Sequence, residues 1–160
     1  MTSIQVRPLA AEDLDWVRDL LVQKWQSPKI VRRGVMCYAD QLPGFVAFHG
    51  ERRVGLFTYR VDDGECEIVT LNSLEEGMGV GSSPIETVRS TALSNKCSRI
   101  WLITTNDNTP ALRFYQKRGF VLAALYRNAI EQSHKIKPEI PRVGLDGLPL
   151  RDEIELEMTL

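Results

Sequence analysis

The chain is poor in the residues that staple or metallate small proteins. Of its 160 residues only three are cysteines, Cys37, Cys66 and Cys97, and only two are histidines, His49 and His134. No CxxC pair or Cys/His cluster exists, so neither a disulfide framework nor a metal site is indicated. No apolar run approaches the roughly 18 residues of a membrane helix. The start, Met1-Thr-Ser-Ile-Gln5, lacks the charged and apolar stretches of a signal peptide. Charge of one sign is also missing: 20 Lys and Arg stand against 21 Asp and Glu, a net of -1. That leaves no global basic field for nucleic acid. Internal repeats, low-complexity tracts and long linkers are absent from the sequence as well. The expectation is one soluble domain over residues 1–160, in a reducing, cytoplasmic setting, with neither nucleic acid nor membrane as partner.

What is present is globular in character, with 43% hydrophobic and 26% charged residues. Residues 4–9 read as a strand. Leu14, Val17, Leu20, Leu21 and Trp25 fall at helical spacing. Residues 30–41 are read as a second short helix and a loop. From Gly44 three strands follow, at 45–48, 54–61 and 65–71, with turns at 49–52 and at Asp62-Asp63-Gly64. A helix after Pro84, a buried strand at 100–103, a helix at 111–117 and a strand at 120–126 come next. A short helix at 128–136, a long loop at 137–152 and an alternating strand at 153–160 complete an α/β order.

Two segments carry chemistry. Glu75-Glu76-Gly77-Met78-Gly79-Val80-Gly81-Ser82-Ser83-Pro84 is a glycine-rich loop running into a helix. Unpaired N–H groups and a partial positive charge at a helix start suit an anion. The spacing is neither GxxxxGK[ST] nor GxGxxG, so a phosphate cradle and a plain tight turn both remain open. The second segment is Asn108-Thr-Pro-Ala111-Leu-Arg-Phe-Tyr115-Gln-Lys-Arg-Gly119-Phe120.

Together the two resemble the GCN5-related N-acetyltransferase (GNAT) family. Its Q/R-x-x-G-x-G/A loop binds the pyrophosphate of acetyl-CoA, and its N-x-x-A-x-x-x-Y-x-x-x-G-F segment lies along the pantetheine. The resemblance implies a mixed, mostly antiparallel central sheet flanked by helices and splayed at the cofactor site. It implies acetyl-CoA as co-substrate, no metal, and direct transfer in a ternary complex to a primary amine of a small molecule or peptide. Pyrophosphate would meet Met78, Gly79, Val80, Gly81 and Ser82. Pantetheine would meet Leu71, Ser73, Asn108, Ala111 and Tyr115. Tyr115 would donate to the departing sulfur, and Glu65 or Glu67 would serve as base, the two sharing a face with Val69 and Leu71. Each has a plainer alternative: Tyr115 as core, Asn108 as a helix cap, the glutamates as solvated strand residues.

Glu76 departs from the family's Gln or Arg, and Pro84 removes one N–H from the helix start. A non-catalytic acyl-CoA-binding regulatory module therefore stays open. Trp16 and Trp101 are read as core, Trp25 as an acceptor-pocket candidate, and Arg32-Arg33 and Arg99 as solvated. The alternating last strand is expected to have one wet face and to be available for pairing in a homodimer.

Overall fold

The Asp-Gly turn at 63–64, with both residues at positive φ (51° and 72°), closes the longest hairpin of the sheet. The structure, a computed structural model, describes residues 4–73 and 82–160. In chain order its elements are β1 (Ile4–Pro8), α1 (Leu14–Trp25), β2 (Lys29–Arg32), β3 (Val35–Tyr38), β4 (Gly44–His49), β5 (Arg52–Asp62) and β6 (Glu65–Ser73). Then follow α2 (Ser82–Ser94), β7 (Arg99–Thr105), α3 (Thr109–Lys117), β8 (Val121–Tyr126), α4 (Ala129–Ile136) and β9 (Glu153–Thr159). Seven strands form one sheet in the order β1-β4-β5-β6-β7-β9-β8. The β6–β7 pair is parallel and the other pairs are antiparallel.

One sheet face buries Ile68, Leu102 and Leu156 against Ile85 and Val88 of α2 and Tyr115 of α3. The other carries α1, whose Val17, Leu20 and Leu21 pack on Leu56. Those positions follow the i, i+3, i+4 spacing of an amphipathic helix.

Three expectations fail. Residues 30–41 are not a helix but the hairpin β2–β3 followed by a 3-10 turn at Ala39–Gln41. Arg32 pairs with Val35, leaving Arg33-Gly34 as a two-residue turn with φ of 54° and 69°. The glycine supplies a mirror-type turn, and the flanking β-branched Ile30, Val31 and Val35 suit strands. Second, β9 lies between β7 and β8 with both edges hydrogen-bonded, so it cannot pair across a dimer. Nor is its charged face wet: Glu153 is 1% exposed, and Glu155 and Glu157 are half-buried. Third, Thr58 pairs with Thr70 and Tyr59 with Ile68, which makes Val69 an extra residue in β6. That bulge leaves Val69 on the α1 face and turns Leu71 to the α2 face, so Leu71 does not share a side with Glu65 and Glu67.

Asp13 ties α1 to the sheet. Its fully buried carboxylate accepts from Arg7 of β1 (2.7 and 2.9 Å), Arg53 of β5 (2.9 and 3.1 Å) and the Ala10 N–H (2.8 Å). The Arg7 guanidinium beside it holds the carboxyl well below the usual carboxylate range. A lowered folded pKa gives stability that is complete above the unfolded value near 4 and lost as pH falls through the folded one. We predict that Asp13→Asn lowers the unfolding midpoint at pH 7 by roughly 5–10 °C. Thermal melts between pH 7 and 2 should also show a shallower acid loss in the variant than in the parent.

Candidate functional site

The parallel ladder between β6 and β7 runs from Glu65–Arg99 to Ile68–Leu102 and stops there, although the strands continue to Ser73 and Thr105. Beyond that point the two backbones diverge, and the facing edges of 69–73 and 103–105 have no ladder between them. A gap of this kind accepts an extended chain of amide groups, which can hydrogen-bond both edges as a strand would. The bulge at Val69 sits at its apex.

The predicted cofactor residues distribute around the gap. Leu71 packs on the α2-side core and Ser73 ends β6. Ser82 opens α2. Glu75, Glu76, Gly77, Met78, Gly79, Val80 and Gly81 lie outside the described residues. Asn108 caps α3, its Oδ1 accepting from the Ala111 N–H at 3.3 Å. Its amide N–H groups have no partner among the described residues. Ala111 packs on the same core as Leu71. Tyr115 is 7% exposed and held edge-on between Phe114 (5.1 Å) and Phe120 (5.3 Å). Burial pushes its phenol up from the ordinary value.

The opposite face of β6 is charged. Glu67 is buried and bound in a fork by Arg32 of β2, with Nε and Nη2 each 2.6 Å from a carboxylate oxygen. Arg32 Nη1 also donates to the Val35 carbonyl at 3.2 Å. Glu65 lies four residues before Val69, about 13 Å along the strand. It accepts from Arg99 Nε at 2.5 Å, and Arg99 in turn meets Glu155 at 2.9 Å. Arg99 is thus the hub of an ion cluster and lies 5.3 Å from the Trp101 ring centre. Trp101 is not core: it lines a cavity of about 270 Å³ with Arg32, Arg33, Arg60, Glu65 and Glu67 among its walls.

Several residues of this region were not singled out from sequence. Glu153 accepts the Arg33 backbone N–H at 2.9 Å, and burial raises its pKa. Buried Lys137, its pKa lowered by desolvation, donates from Nζ to the Trp25 and Lys29 carbonyls, both at 2.6 Å. It fastens the long loop to the end of α1, where Trp25 Nε1 reaches Asn72 Oδ1 at 3.4 Å. Asn106 Oδ1 accepts from the backbone N–H groups of Arg151 and Asp152, and Asp107 Oδ2 from that of Leu145. Gly144 packs so closely on Asp107 that a Cβ would collide with its carboxylate. The only sequence signals were two polar residues after an apolar strand and a glycine in a loop.

The Arg32–Glu67 fork is a buried two-point ion pair, and removing one partner strands the other. Arg32→Met and Glu67→Leu should each cost about 3–5 kcal/mol of stability. The double variant Arg32→Met/Glu67→Leu should recover most of that loss. Urea unfolding of the four proteins measures the coupling, and additive losses would contradict it.

A family model described as "Acetyltransferase (GNAT) family" matches residues 11–120. A Bacillus subtilis (strain 168) protein called YdhI, described as uncharacterised, is 40% identical over 137 residues, covering 85% of this chain and 86% of its own. An "IAA acetyltransferase" from Bacillus cereus ATCC 14579 superposes with a TM-score of 0.78 at 22% identity, over 99% of this chain and 100% of that one. A GNAT family acetyltransferase from Elizabethkingia anophelis, solved with acetyl-CoA bound, gives 0.70 at 20% identity, over 99% of each. At such identity these two likenesses speak to the fold. The family match spans most of the chain and takes in both the splayed strand pair and the α3 segment: the chain belongs to the GNAT acetyltransferase family.

Proposed function

We propose that the chain transfers an acetyl group from acetyl-CoA to a primary amine by direct attack in a ternary complex. The observation that carries this reading is the splay beyond Ile68–Leu102, flanked by the capped start of α3 and by buried Tyr115. Acetyl-CoA supplies the thioester. Backbone groups at Leu71 and Ser73 would bind the pantetheine amides, with the Asn108 amide facing them. An N–H at the strand end would polarise the carbonyl as in an oxyanion hole. The pyrophosphate would meet Met78, Gly79, Val80, Gly81 and Ser82, which precede or open α2 in the sequence.

Tyr115 stays protonated because burial raises a phenol whose ordinary pKa is already near 10. That makes it a hydrogen-bond donor to the leaving sulfur more than a source of a full proton. Of the two glutamates, Glu67 adjoins the last ladder pair and is the better base candidate, acting through water because Arg32 occupies both its oxygens. Glu65 stands at the closed end beside Arg99. Direct transfer is supported by the cysteines. All three thiols are free and raised by burial, Cys66 to about 12, which makes poor nucleophiles. Free thiols also fit a reducing, cytoplasmic setting.

The test has two parts. Acetyl-CoA at about 100 times Kd should raise the melting point by roughly 5–10 °C. Tyr115→Phe should lower kcat on an amine substrate by about 10²-fold while changing the acetyl-CoA shift little. Binding without turnover of any amine would instead favour a regulatory acyl-CoA-binding module.

A further inference from the structure

We propose that the acceptor amine carries a carboxylate of its own, as α- and ω-amino acids do, and that Arg33 receives that carboxylate. The inference rests on the reading of acetyl transfer to an amine and names the substrate class of that site.

The cavity under the β2–β3 hairpin has the size and the lining for it. Its volume of about 270 Å³ suits an amino acid. Apart from Val35 and Trp101, every residue lining it is charged. An apolar amine seated there would desolvate those charges without compensation. The floor, Glu67 and Trp101, adjoins the ladder pair Ile68–Leu102 at which the splay begins, so one end of an occupant lies beside the transfer point.

Most charges of the wall are paired, the lining carrying four carboxylates, Asp62, Asp63, Glu65 and Glu67, beside Arg32, Arg33 and Arg60. Arg32 is bound to Glu67, and Glu65 to Arg99. Arg60 meets Asp62 at the exposed rim at 3.5 Å. Arg33 differs: among the described residues no carboxylate lies in ion-pair range of its guanidinium. Instead the group rests on the Tyr126 ring, 3.2 Å from its centre. Tyr126 is anchored through its hydroxyl to Glu155 at 2.9 Å, and the Arg33 backbone N–H is anchored to Glu153. A guanidinium held flat on an aromatic ring keeps its in-plane donors directed outward, and that fork matches a carboxylate. Held in advance, it loses little freedom on binding.

The experiment measures CoA release from acetyl-CoA by the purified protein with three matched sets of acceptors: amino acids, their carboxamides, and the decarboxylated amines. Rates are compared per unprotonated amine, because removing the carboxylate changes the amine pKa. The best amino acid should exceed its carboxamide and its decarboxylated amine at least tenfold in kcat/KM. In Arg33→Gln that ratio should fall to within about threefold of unity. Carboxamides used as well as the parent acids, or a preference that survives Arg33→Gln, would overturn the inference and leave acetyl transfer standing. Turnover with none of the three sets, despite a thermal shift with acetyl-CoA, would remove the proposed function and this inference together.

Discussion

Because Val69 has no opposite number on β5, the side chains of β6 change sides partway along the strand. Before it, Glu65 and Glu67 look toward the hairpin; beyond it, Leu71 looks toward α2. A bulge also increases local twist and bends its strand. β7 stays in continuous register with β9 from Arg99 to Thr105 and does not follow. The parallel ladder therefore ends where the bulge begins. The surplus residue thus coincides with the end of the ladder and puts Leu71 on the apolar α2 face, opposite to Glu65 and Glu67.

The charged side is held by contacts that are expensive in isolation. A buried ion pair rarely adds net stability over apolar packing, so the value of Arg32–Glu67 is positional. It anchors the hairpin on β6, while Glu153 anchors the hairpin turn from β9. Lys137 does the same for the long loop, replacing water at the last carbonyls of α1. Segments distant in sequence are thereby fixed to one another through polar contacts.

Much of the framework was legible in the sequence because its signals are local. The Asp63-Gly64 turn, the 17/20/21 spacing of α1 and the Asn108-to-Phe120 pattern each declare themselves within a few residues. The hairpin at 29–38 was misread because its Arg33-Gly34 turn lies in a short segment whose apolar residues fit either period. Arg32 and Trp101 were misjudged for a different reason. Whether an arginine is solvated or buried depends on Glu67, 35 residues away, and a tryptophan's side depends on strand order. The extra residue at Val69 leaves no compositional mark, so the reversal at Leu71 follows only from the register. Asp13 fits neither category: a charged residue at a helix start reads as exposed until the two arginines that enclose it are placed.

The strand order also bears on how the protein is made. Among the described residues β8 pairs in the sheet only with β9, yet it leaves the ribosome about 25 residues earlier, since it ends at Tyr126 and β9 starts at Glu153. Its exposed Val121, Leu122 and Leu125 are an uncharged run with no sheet to join in that interval. α4 and the long loop are synthesised in between. The Arg33–Glu153 and Asn106–Asp152 contacts wait for Asp152 and the strand after it, and the Asp107 contact waits for Leu145. The β1-to-β7 part of the sheet can pair as it is synthesised, whereas β9, which lies between β7 and β8, can join only after it has emerged.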